Sequence, residues 1–141
     1  MYRAGFANQP VSVSIDDGLE LDGAFVTSPV KCAPPQNKPT TLERDTCRPF
    51  LDREFELLQP QVFIALGGFA YAGLANYLGI RPRPKFGHGV EVVLDDGRVV
   101  LCSFHVSQQN TFTGRLTEEM LDSVFDRARV LLGRPSVASR D

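Results

Sequence analysis

The run Gln61–Gly79, "QVFIALGGFAYAGLANYLG", restricts the fold more than any other part of the chain. Val62 to Leu66 is short and wholly apolar, the pattern of a strand buried on both faces. Gly67-Gly68 lets the chain turn. Phe69 to Leu78 then reads as a helix, with Gly79 as its C-cap. A strand buried on both faces needs a layer of cover on each side. With strands and helices alternating along the rest of the chain, this predicts an α/β fold with a mainly parallel sheet.

The flanking segments fit that plan. Ala24 to Cys32 ("AFVTSPVKC") reads as a strand, with Pro29 placing it at an edge. Ala33 to Pro39 is a polar loop stiffened by prolines. Thr40 followed three residues later by Glu43 forms a capping box, so a helix starts at Thr40 or Thr41. Cys47, Leu51, Phe55 and Leu58 share one face of it. Pro49 predicts a kink or break there, and Pro60 ends the segment. "VEVVLDDGRVVLCSFH" reads as a hairpin turning at Asp96-Gly97. A last helix follows Thr117, with Leu121, Val124, Ala128, Leu131 and Leu132 as its apolar stripe.

Composition narrows the function classes. At 141 residues and 43% hydrophobic, the chain has the size and apolar content of one folded domain. No apolar run reaches the roughly 18 residues of a membrane span, so no membrane partner is expected. "MYRAGFANQP" has no apolar core of a secretion signal, which leads us to expect a cytoplasmic protein. A formal charge of −2 argues against nucleic-acid binding driven by overall charge. It leaves room for a local basic patch, and Arg81, Arg83 and Lys85, spaced by prolines, make one.

In parallel α/β sheets ligands bind beyond the carboxyl ends of strands. Three segments are expected there: Ala33 to Pro39, Gly67-Gly68, and His105 to Thr113. His105 ends a strand and is followed by a dense polar run, Ser107 to Thr111. Such a histidine is either satisfied by a loop carbonyl or free to donate to developing negative charge. Asn37 either closes an Asx-turn or reads a base edge with its amide. Cys32 and Cys47 are spaced C-x14-C. By spacing alone they read as buried thiols, since zinc sites usually show a closer pair. An iron–sulfur cluster normally takes four ligands, and the chain has three cysteines, with Cys102 in mid-strand. Gly67-Gly68 could cradle a phosphate, although no phosphate-binding motif is present. His88, in "KFGHG", reads as an ordinary loop histidine.

Four segments together, "VKCAPPQNKPTTLERDTC", "VFIALGGFA", "RPRPKFGHG" and "HVSQQNTFTGRLT", closely resemble the family 5 uracil-DNA glycosylases, iron–sulfur members of the uracil-DNA glycosylase superfamily. The resemblance runs from about Arg3 to Leu132. It implies a three-layer α/β/α sandwich around a four-stranded parallel sheet, and hydrolysis of the N-glycosidic bond of uracil and other deaminated bases in DNA. It implies that His105 stabilises the departing base as catalytic residue and that Asn37 contacts the flipped base. Ser107, Gln108, Gln109, Asn110, Thr111 and Phe112 match the loop that enters the DNA. Cys32 and Cys47 match the second pair of ligands to a [4Fe–4S] cluster. The family also carries an N-terminal portion with two more cysteines, a central strand and the water-positioning motif, which these residues do not include. The resemblance therefore leads us to expect a partial glycosylase domain over 1–133, N-terminally truncated and with an incomplete sheet, then a loose tail over 134–141. The expected partner is uracil-containing DNA, bound by a monomer when intact. Two rivals stay open: a non-catalytic nucleotide-binding α/β module built on Gly67-Gly68, and an inactive degenerate fragment.

Overall fold

The computed structural model describes residues 1–134. The tail expected over 134–141 lies outside the described residues except for Arg134, which is held in place. Its guanidinium donates to the Asp22 carbonyl at 2.8 Å, pairs with the Asp22 carboxylate, and sits 5.1 Å over the Phe6 ring.

Helix α1 spans Thr41–Leu58. Its start is the expected capping box: the Thr40 hydroxyl accepts from the Glu43 N–H at 3.2 Å, and the Glu43 carboxylate accepts from the Thr40 N–H at 2.7 Å. Of the kink or break expected at Pro49, the break does not occur: the helix runs on through it. Its apolar face is shorter than the spacing implied. Leu51 is buried and Phe55 packs its ring against Phe63 and Tyr77, but Leu58 is exposed. Gln59, in a left-handed conformation, closes the helix before Pro60.

Strand β1 (Val62–Leu66) and helix α2 (Gly68–Leu78, capped by Gly79 at φ 66°) form as the sequence indicates. β2 (Glu91–Val93) and β3 (Val99–Ser103) make the expected hairpin. The sheet order is β1-β3-β2. β1 pairs with β3 in parallel, Val62 opposite Val99 through Leu66 opposite Ser103, while β2 is antiparallel to β3. The described sheet is therefore mixed and three-stranded, its parallel part being the β1–β3 pair. Ala24–Cys32 forms no ladder, which corrects the strand expected there. It has no partner among the described residues, and a strand exists only by pairing. The N-terminal segment instead carries a single antiparallel bridge, Ala7 to Leu21.

Alternation along the strands sorts side chains into two cores, giving the α/β/α layering. Val99 and Leu101, with Val62 and Ile64 beside them, face helix α4 (Glu118–Leu131) through Val124 and Ala128, joined by Ala4 and Phe6. Phe63, Ala65, Val100 and Cys102 face α2 through Tyr71 and Leu74. β3 is buried along its whole length because it lies between β1 and β2 under both layers. Thr117 caps α4, its hydroxyl accepting from the Met120 N–H at 3.2 Å. No helix of the described residues is long and apolar enough to cross a membrane.

Candidate functional site

The parallel pairing of β1 and β3 brings their carboxyl ends side by side, the place where α/β sheets bind ligands. The Gly67 N–H donates to the Ser103 carbonyl at 2.8 Å, extending the ladder past β1. That donor is therefore committed, so the Gly67-Gly68 turn does not offer it to a phosphate. Gly67 has φ 96°, and a Cβ on it would come 3.2 Å from the Cβ of His105. A side chain at position 67 would be strained and would crowd His105, so the glycine is required by what lies over it.

His105 lies two residues beyond the end of β3 rather than on it. It is exposed, and its ring has no hydrogen-bond partner among the described residues. The reading of a histidine satisfied by a loop carbonyl does not hold here. Its backbone is fixed instead: the Asn110 amide donates to the His105 carbonyl at 2.9 Å.

The polar run after His105 is a short helix, α3 (Gln108–Phe112), and not a loop. Ser107 is its N-cap, the hydroxyl accepting from the Asn110 N–H at 3.3 Å. The hydroxyls of Thr111 and Thr113 donate back to carbonyls of the same turn. The Leu116 N–H bonds the Asn110 carbonyl at 3.0 Å, and Leu116 itself is buried. Much of the polarity that marks this segment thus serves its own fold. Gln108 and Gln109 point no such bonds inward, and Phe112 is 83% exposed at the helix end.

His88, read from the sequence as an ordinary loop histidine, has a structural role at the exit of β3. His88 Nδ1 accepts the Phe104 N–H at 3.3 Å, with the Ser103 hydroxyl at 3.5 Å, while its Nε2 lies 3.1 Å from the Met120 carbonyl. An acceptor at Nδ1 leaves the proton on Nε2, where it donates to Met120. His88 therefore ties the exit of β3 to the first turn of α4. Its ring stacks near Phe104 at 5.3 Å, and Arg115 covers Phe104 at 4.7 Å. No local pattern reveals this role, because every partner comes from a distant part of the chain.

Asn37 lies in the turn Pro35–Asn37 with φ 54°, its N–H donating to the Pro34 carbonyl at 3.1 Å. Its side chain is exposed and closes no Asx-turn among the described residues. No hydrogen bond or ring contact joins Asn37 to His105 among those residues.

The cysteines divide clearly. Cys102 is fully buried, and burial pushes its thiol up to about 11, the state of an inert core thiol. Cys32 is exposed and Cys47 partly so, which corrects the reading of both as buried. The Cys47 sulfur accepts the Lys31 N–H at 3.4 Å, so it lies against the residue preceding Cys32. Lys31 is itself pinned to α1 by its Nζ, 2.8 Å from the Glu54 carboxylate. No group of three or more metal-ligating side chains occurs among the described residues. Two free thiols at one corner fit half of a four-thiolate cluster and not the whole.

Comparison with known proteins identifies the family of the chain. The sequence profile of the Uracil DNA glycosylase superfamily matches residues 1–129. The type-5 uracil-DNA glycosylase of Mycobacterium tuberculosis is 47% identical over 137 residues, covering 94% of this chain and 51% of that protein. That of Thermus thermophilus is 42% identical over 135 residues, covering 94% of this chain and 61% of its own length. That of Pyrobaculum aerophilum is 43% identical over 128 residues, with 91% and 56% covered. The chain thus spans about half to three-fifths of the length of these curated relatives. It belongs to the uracil-DNA glycosylase superfamily.

Proposed function

We propose that these residues serve a base-excision glycosylase that hydrolyses the N-glycosidic bond of uracil, and of other deaminated bases, in DNA. The observation that carries this reading is the free His105 ring over Gly67 at the paired carboxyl ends of β1 and β3. The glycosidic bond is inaccessible in stacked DNA, so the nucleotide must flip out. Cleavage leaves a cationic sugar and an anionic base. A donor already aimed at that anion lowers the barrier without reorganising, and His105 is free to be that donor. Asn37, with an uncommitted amide, suits the base edge. Ser107 to Phe112 would follow the DNA, with exposed Phe112 as an apolar wedge of the kind that enters a minor groove. The partner is uracil-containing DNA, bound by a monomer.

The same reading gives Cys32 and Cys47 to a [4Fe–4S] cluster, with two further thiolates from outside the described residues. Their exposure and the N–H donated to the Cys47 sulfur support it. Such a cluster would serve as a structural tie between this corner and the rest of the protein. Iron and sulfide analysis of anaerobically purified natural protein tests this part, and a colourless, iron-free product would remove it.

The test of the main proposal is single-turnover excision from uracil-containing DNA by the full natural chain that holds these residues. His105→Ala should lower the rate by about 10²-fold or more, the effect of losing one anion-stabilising donor, with DNA affinity nearly unchanged. Excision at the wild-type rate would return His105 to a structural role.

A further inference from the structure

Most of the chain's cations are engaged by carboxylates, from Arg3 with Asp122 to Arg127 with Glu91. Arg81, Arg83 and Lys85 are different. They fall in five consecutive residues, all exposed, and none has an acidic partner among the described residues. With a formal charge of −2 over the whole chain, three unpaired cations in one short segment form a local field of opposite sign.

The segment is held, and it leads to the candidate site. The Tyr71 hydroxyl, on the first turn of α2, donates to the Pro84 carbonyl at 3.0 Å. One residue past Lys85, Phe86 lies where a Cβ on Gly68 would meet it at 3.5 Å, and its ring is 6.3 Å from Phe104. The strap therefore climbs beside α2 and ends against the turn that supports His105. Pro82 and Pro84 have no N–H and a fixed φ, so the strap makes no ladder. What it offers is cationic side chains on a stiff backbone. One more cation without a carboxylate borders the same site: Arg115, 4.7 Å over the Phe104 ring.

We propose that Arg81, Arg83 and Lys85 form a phosphate-contacting strap that holds the DNA backbone beside the candidate site. This deepens the glycosylase reading and rests on it for the identity of the polyanion. Phosphate contacts set affinity and register without reading sequence. The strap should therefore act equally on damaged and undamaged DNA, which separates it from base recognition.

The experiment measures binding of the 141-residue chain to a labelled undamaged duplex, and to the same duplex with one uracil, across a KCl series. The triple variant Arg81→Gln, Arg83→Gln, Lys85→Gln should reduce the slope of log K against log salt by about 2–3, near 0.9 for each phosphate that is no longer neutralised. The reduction should match on both duplexes. A control triple, Arg48→Gln, Arg53→Gln, Arg98→Gln, removes the same charge from ion-paired positions and should leave the slope close to wild type. Circular dichroism confirms that both triples fold. An unchanged slope in the strap variant overturns the proposal, as does an equal reduction in the control, or a wild-type chain that binds no DNA at low salt. Tighter strap-dependent binding to polyglutamate than to DNA would assign the strap to an acidic protein instead. Strap-dependent binding by a protein that excises nothing would leave the strap standing and remove the glycosylase reading.

Discussion

In residues 61–134 the buried side chains, Leu116 apart, sit on strands and helices that pack on one another, with Val100 and Cys102 wholly enclosed on the sheet face toward α2. In residues 1–60 the buried apolar residues are Ala4, Phe6, Ala7, Val30 and Leu51, and only Leu51 belongs to a helix. Val13, Ile15, Phe25 and Val26 are exposed there, Ile15 at 98%. Polar ties hold this region in place. Arg3 grips Asp122 with two nitrogens, and buried Arg129 donates to the Ala4 carbonyl at 2.6 Å. Asp17 accepts from the N–H groups of Val13, Ser14 and Leu19. One region is shaped by burial and the other by hydrogen bonds and ion pairs to its neighbour. Segments with few buried apolar contacts open at lower free energy than the core, so the two should respond very differently to the same kind of change.

The sharpest way to break that contrast is to place one carboxylate in each region. Val100→Asp puts an unpaired charge at a site with 0% exposure. Such groups cost more than about 4 kcal/mol, against a usual total of about 5–15 kcal/mol. The variant should show no cooperative urea transition by circular dichroism. Ile15→Asp, on the exposed segment, should shift stability by no more than about 0.5 kcal/mol. Comparable losses from the two would mean that the N-terminal segment is as tightly folded as the sheet.

The two histidines carry the contrast into the candidate site. His88 is bonded at both ring nitrogens, while His105 is bonded at neither. His88→Ala leaves the Phe104 N–H without its acceptor and takes one donor from the Met120 carbonyl, which keeps the Ser123 hydroxyl. It should lower the urea stability by about 1–3 kcal/mol, and His105→Ala by no more than about 0.5 kcal/mol. A stability loss at His105 as large as at His88 would show that its ring has a structural partner after all.

Legibility in the sequence follows the same division. Gly79, the Thr40–Glu43 box and the Thr117 cap were readable because each acts within a few residues of itself. Strand β1 was readable because a short, wholly apolar run is a local signal. Ala24–Cys32 misled because β-branched residues signal only a capacity to pair, and pairing needs a neighbour. The polar residues after His105 serve a partly different purpose from the one expected, since Ser107 and Thr111 spend their side chains on α3 and Asn110 spends its own on the His105 carbonyl. His88 stayed hidden because Phe104 and Met120 lie 16 and 32 residues away in sequence. The exposure of Cys32 and Cys47 was not readable from their spacing, because it depends on what packs around them.

The smallest expected effect probes the tie that places the Cys32–Cys47 corner. Lys31, through its side chain, and Thr27 both bond the Glu54 carboxylate, and these bonds hold that carboxyl below the usual carboxylate range. A folded-state value below the unfolded one stabilises the fold only while the group is ionised. The contribution is therefore complete above the unfolded carboxyl value of about 4.3, and is lost as pH falls through the lower folded value. Both side chains are partly exposed, at 26% and 28%, so the pair should be worth about 0.2–1 kcal/mol. Glu54→Gln should be less stable than wild type by that amount at neutral pH, and the gap should close in acid. Exchange of the Lys31 amide, which bonds the Cys47 sulfur, should quicken in the variant at neutral pH and match wild type once both are uncharged. A gap that persists unchanged into strong acid would show that something other than the ion pair holds residues 27–31 to α1. The N-terminal region would then depend on packing, like the sheet, rather than on polar ties.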